Sequence, residues 1–391
     1  MRDNSISNFR LLCIFLVTFA HNPFATAQHD FGTALPYVAV HSSFSYISFI
    51  LFDGFSRISS PFLGYLSGYF VSSNLRDRSY LNVIARRFKS LYLPVVFWSI
   101  VMFAVMFVHG LATSDQQYLH HLFVGTDLDK FFGVEEAPLD RPTHYLVSLF
   151  KCVLIAPIML YIWQRFGRGT FLILVALISL LLVGTDLNHD DPGLHLDGGS
   201  VLPRADMFLF FSLGFLSNRT WNFSVGEALE RIRVKGVLPT LLLIIIFLIG
   251  TFHWRWLIRM SGDLWVWVGF FTLLLVRISG SLLILSSLPY LRKLANEGLY
   301  TSDRLAFNLF CTHSISFTVL QIALRWKPPE LLAICSFFVA PFFATLAAAV
   351  VCRAERYAVK FSSRLSFGIR ITGQGRYAKH TAAAPPRPDS M

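Results

Sequence analysis

Two residues in the first apolar run have side chains that can do chemistry. In Asn8–Phe24, NFRLLCIFLVTFAHNPF, Arg10 stands at the head and His21 near the end, with ten residues between them. On a helix that gap is about 16 Å, since each residue rises about 1.5 Å. An arginine at a membrane surface would then hold a histidine near mid-membrane. Imidazole is suited to moving protons near neutral pH, and ionisable groups at that depth are expensive and usually retained for function.

Other candidates are scattered along the chain. Arg57 lies near the start of the second apolar run, one turn after Asp53; the spacing suits either a structural ion pair or a contact with substrate. Arg86, Arg87 and Lys89 cluster just before the third run. They suit a topological anchor equally well as a polyphosphate headgroup, for which arginine offers a bidentate fork and lysine a point charge. His313 closes the segment LAFNLFCTH inside a late run, where a lone histidine is more often a helix–helix hydrogen-bond partner than a catalyst. His189, Asp190, Asp191, His195 and Asp197 have the types of metal ligands, but no tight spacing repeats, so no metal is expected. The five cysteines form no CxxC pair and read as small buried hydrophobes.

The elements that position these residues are membrane helices. The chain is 54% hydrophobic and 15% charged, against about 25% charged in ordinary soluble proteins. Ten candidate spans follow from apolar runs: 9–27, 55–73, 90–109, 142–164, 169–184, 204–218, 235–252, 263–286, 304–324 and 330–352. With the N-terminus inside, the inside segments carry 24 of the 34 Lys and Arg, the outside loops seven, and Arg57, Lys151 and Arg277 lie within spans. That bias predicts an all-α polytopic bundle with both termini cytoplasmic. It also accounts for the net charge of +11 without nucleic acid. The domain expected is 1–361, followed by a basic, disordered tail over 362–391. Ala25-Thr26-Ala27 mimics a signal-peptidase site, yet His21, Asn22 and Pro23 interrupt the apolar region, so the first span reads as retained. The second run is rich in Gly and Ser, which suits close helix packing.

There is no Walker A sequence, dinucleotide glycine fingerprint or G-x-S-x-G elbow. Four features instead resemble the acyltransferase 3 family of integral-membrane acyltransferases. These are the R-x10-H spacing of Arg10 and His21, the second span from Arg57 to Ser67-Gly68-Tyr69, the basic cluster with Pro94 and Trp98, and Phe310 to His313. The resemblance covers roughly residues 8–355, and within the family the exopolysaccharide acyl- and succinyltransferases are most similar. It implies transfer of acetyl or succinyl from acyl-CoA on the cytoplasmic side to a hydroxyl of an exported or lipid-linked glycan. The setting implied is the bacterial inner membrane, with no permanently bound cofactor. His21 would be the general base or acyl carrier, with the pantetheine arm of the donor running beside Arg10 to deliver the thioester toward it. Arg57, Arg86, Arg87, Lys89, Asp53 and His313 would hold donor or substrate. From another class, a transporter or flippase for a glycan or its lipid-linked precursor would use the same intramembrane charges as pathway residues.

Overall fold

An apolar run in lipid must satisfy its own backbone hydrogen bonds, and a helix does so residue by residue. The computed structural model describes residues 4–22, 47, 50–124, 131–132, 143–187, 203–221, 223–260, 263–297, 303–324 and 330–368; nearly all are helical and none forms a strand. The protein is an all-α polytopic bundle, and each of the ten predicted runs falls on a helix. Among the described residues six helices are long and apolar enough to cross a membrane, and Ser5–Ala20 is a shorter apolar helix.

The first helix, α1 (Asn4–Ala20), closes ahead of Pro23, because the residue before a proline is forced out of the helical region. Next come α2 (Ser56–Asp77), entered through a π turn at Ile50–Phe55, and α3 (Tyr80–Arg87), which runs through a second π turn at Phe88–Tyr92 into α4 (Leu93–Thr113). After α5 (Gln116–Val124), the helical run α6 (His144–Leu187) is broken at Gly167, where φ is 78°. Only glycine adopts that conformation freely.

The chain folds back at Gly167. A straight helix would put His144 and Phe171 about 40 Å apart. His144 nevertheless meets Arg204 while Phe171 stacks on Phe215, and those two partners are separated by only about 16 Å of helix. The two arms of α6 are thus the fourth and fifth predicted spans. The helix they pack on is α7 (Ala205–Thr220).

Glycines set the closest helix contact. A Cβ on Gly68 of α2 would sit 1.9 Å from the carbonyl oxygen of Phe211, and one on Gly214 of α7 the same distance from that of Tyr65. The two backbones touch, as small residues allow in membranes. Tyr69, beside Gly68, donates its hydroxyl hydrogen bond to the Phe223 carbonyl. Gly68→Ala is therefore expected to cost about 3 kcal/mol, the top of the overpacking range, read as a lowered unfolding temperature in detergent.

A capping box at Ser224 and Glu227 starts the short α8 (Val225–Ile232). The hairpin of α9 (Val237–Arg259) and α10 (Asp263–Leu285) follows, Gly250 facing Val276 and Gly280 facing Phe247. The short α11 (Leu288–Asn296) leads to α12 (Asp303–Ala323) and α13 (Glu330–Gly368). The last helix continues past the predicted end of the domain at 361, having no Pro or Gly between Pro341 and Gly368 to stop it; residues 369–391 of the predicted tail lie outside the described residues.

The bundle carries apolar side chains on its outside as well as in its core, with polar groups buried among them. Ser59, Ser72, Thr251, Asn308 and Thr312 are buried, while Ile158, Ile173, Leu181, Leu238, Phe342 and Leu346 are exposed around the outside. An apolar girdle with polar groups inside is the arrangement a bilayer requires.

Candidate functional site

The site is built on the seam where α1 meets α2, α12 and α13. Phe9 is fully buried and packs edge-on against Phe62 at 4.8 Å. This turns the next residue, Arg10, over the ring of Phe70, with its guanidinium carbon 4.9 Å from the centroid. Such a cation–π contact fixes a charge without neutralising it. Toward the other end the helix tightens, His21 N–H reaching Thr18 O at 3.3 Å and Asn22 N–H reaching Phe19 O at 3.4 Å. Asn22 then donates to the carbonyl of Phe337 in α13 at 2.7 Å. His21 is thus held in the closing turn of α1, with covalent neighbours tied down on both sides.

What lies opposite His21 is His313. The two ring centroids are 5.3 Å apart, with planes at 45°. His313 is fully buried, and its Nδ1 lies 3.1 Å from the carbonyl of Leu309. A carbonyl only accepts, so this contact assigns the proton to Nδ1 and leaves a lone pair on Nε2. Nε2 has no hydrogen-bond partner among the described residues. Phe310 and Phe317 wall the ring at 6.1 and 5.8 Å. The arrangement supplies one fixed acceptor nitrogen beside a second imidazole, which is equipment for receiving a proton.

The remaining predicted residues occupy other places. Arg86 and Lys89 are exposed and Arg87 is partly covered, on the end of α3 and the π turn after it. Phe88 and Tyr92 anchor that turn on Phe150 of α6. The backbones of Asp53 and Arg57 lie in the π turn and first turn of α2, but the side chains of the predicted pair lie outside the described residues. Residues 188–202, which hold the predicted His and Asp cluster, lie outside them too.

Sequence reasoning missed a buried ion cluster. Asp206, in the first turn of α7, accepts from Arg204 at 3.2 Å and pairs with Arg277 of α10 at 2.6 Å. Asp206 and Arg277 are 5% and 3% exposed, so neither charge has water to solvate it. Arg204 also reaches Nε2 of His144 at 2.9 Å; a guanidinium only donates, so that nitrogen accepts. The residue after His144 connects the cluster to the histidine pair: the Tyr145 ring packs on Phe310 at 5.6 Å, and Phe310 on His313. A signal was present, since an arginine amid the apolar residues of the eighth span demands a carboxylate. Nothing in the sequence says that Asp206 is the one.

Comparison with known proteins adds the chemistry. Over 181 residues the chain is 26% identical to succinoglycan biosynthesis protein ExoH of Rhizobium meliloti (strain 1021), covering 45% of this chain and 47% of that protein. The chain thus matches about half the length of that curated relative. No solved structure matches it. A family model described as an acyltransferase domain spans residues 3–354, from the first turn of α1 through most of α13. Arg10, both facing histidines and the ion cluster all fall inside that match, and the chain belongs to the acyltransferase 3 family.

Proposed function

We propose that this membrane acyltransferase is an O-acyltransferase of the bacterial inner membrane. It moves an acetyl or succinyl group from acyl-CoA on the cytoplasmic side to a hydroxyl of an exported or lipid-linked glycan. The observation that carries this is the pairing of His21 with a buried His313 whose ring is anchored through Nδ1 on the Leu309 carbonyl. The relative named for succinoglycan biosynthesis supports a polysaccharide acceptor.

In the proposed step the acceptor hydroxyl oxygen attacks the thioester carbonyl, the carbon–sulfur bond breaks and an ester forms. The hydroxyl proton passes to the imidazole of His21 and then to the departing CoA thiolate, so acid and base are the same group. His313 faces His21 and holds its orientation. Arg10, fixed over Phe70 about 16 Å along α1 from His21, lies beside the pantetheine arm that delivers the thioester toward His21. Arg86, Arg87 and Lys89 receive the phosphates of CoA, and Arg57 with Asp53 orients the glycan or a carboxylated acyl group.

Purified full-length protein given radiolabelled acyl-CoA and glycan tests the reading. Label is expected on the glycan as an alkali-labile ester. A transporter or flippase would move glycan across vesicles and leave it unlabelled, and that result rejects the proposal. Arg10→Lys is expected to lose at least about tenfold in transfer, because an ammonium lacks the planar fork; a topological anchor would tolerate it.

A further inference from the structure

The histidine site leaves unused a set of charges at one end of the bundle. The short helices α8 and α11 each bury an apolar face, with Leu229 and Leu288 fully covered, and meet through their polar faces. There Glu230 is gripped by three cations. Arg233 donates from Nε and Nη2 to Oε1 at 3.0 and 2.6 Å, Arg292 from Nη1 to Oε2 at 3.3 Å, and Lys235 approaches Oε1 at 3.6 Å. The Arg233 hydrogen bond holds the Glu230 carboxyl below its usual range. Arg292 is tied down further by donating to the Gly226 carbonyl at 3.1 Å.

Between the two helices lies an open surface cleft of about 490 Å³, lined by Glu230, Arg233, Arg292, Lys293, Asn296 and Glu297, among others. That size is within the range of small-ligand sites. Glu230 occupies one edge of each guanidinium, and each arginine keeps further N–H donors, beside the three of Lys293. The setting is the lipid–water boundary. Val237 and Leu238, just after Lys235, are 77% and 79% exposed, and Tyr290 beside the cleft is 74% exposed. Apolar residues open to lipid within two positions of a held cation mark headgroup depth.

We propose that the cleft between α8 and α11 binds a phosphate ester through Arg233, Arg292 and Lys293, as carried by an anionic phospholipid of the adjoining leaflet. Two fixed guanidiniums and an ammonium suit phosphate oxygens, and anionic lipids concentrate basic segments at this depth. The same chemistry is offered by the nucleotide phosphates of CoA, a source that rests on the acyl-donor reading above. Glu230 then acts as an internal stand-in for the ligand, keeping the cations parallel and in place.

Native mass spectrometry of the full-length protein in neutral detergent, titrated separately with phosphatidylglycerol and with CoA, tests this. Arg233→Gln with Arg292→Gln is expected to weaken the bound probe at least about tenfold, each lost bond being charge-assisted. Glu230→Gln is expected to tighten it, a gain that a misfolded variant cannot produce. Phosphatidylglycerol binding that the Arg233 and Arg292 variant weakens identifies the lipid; CoA binding weakened by that variant, and not by Arg86→Gln with Arg87→Gln, identifies the nucleotide; either supports a phosphate site between α8 and α11. Arg353→Gln with Arg356→Gln, exposed on α13, is the control for charge alone. Equal weakening in that control, unchanged binding in the Arg233 and Arg292 variant, or no binding of either probe overturns the proposal.

Discussion

His21→Ala is expected to lower acyl transfer by about 10²–10⁴-fold, the usual contribution of a positioned general acid–base. The loss falls on kcat, because a group that shuttles a proton acts in the transition state and adds little to ground-state binding. Stability should change little, since the side chain is only partly buried and its turn is pinned by the neighbouring Asn22 and the carbonyl of Phe337. Melting temperature and elution volume therefore serve as controls, and the measurement is label transferred per minute at saturating donor. His313→Gln separates the roles of the two rings. An amide retains hydrogen bonding but cannot titrate, so a positioning His313 leaves a measurable rate while a proton-carrying one does not. Full activity in His21→Ala would mean that the facing imidazoles are packing only.

Asp206→Ala is expected to be the most destabilising single change outside the helix seams, at about 3–5 kcal/mol. Removing the carboxylate takes away the charge that Arg204 and Arg277 share, in a place with almost no solvent. Asp206→Asn should recover part of the loss by accepting from one arginine. A triple replacement, Asp206→Leu with Arg204→Met and Arg277→Met, is expected to restore most of it, because apolar side chains of similar volume carry no desolvation cost. Thermal unfolding in one detergent ranks the four proteins. Transfer assayed on the triple variant then tells whether the cluster is scaffolding or feeds the histidine site through His144 and Tyr145. Scaffolding predicts a stable and active enzyme.

The helices and the site were legible to different degrees. Every predicted apolar run lies on a helix, and Gly167 breaks α6 inside the predicted gap between the fourth and fifth spans. The first helix closes at Ala20, and residues 23–27 of the predicted first span lie outside the described residues. Arg10, His21 and His313 stood out individually as polar groups in apolar surroundings. Their grouping did not, since His21 and His313 come from opposite ends of the chain and helical periodicity says only which residues share a face of one helix.

By itself the sequence determined that this protein is a helical membrane bundle, because hydropathy and backbone self-satisfaction act within each segment, and its motifs resembled those of one enzyme family. Tertiary structure decided which polar groups meet. It set His21 against His313, chose Asp206 as the partner of Arg277, and let Gly68 and Gly214 bring two backbones into contact. Those choices depend on side-chain volumes and helix rotation across the whole bundle, which packing fixes and local periodicity does not contain.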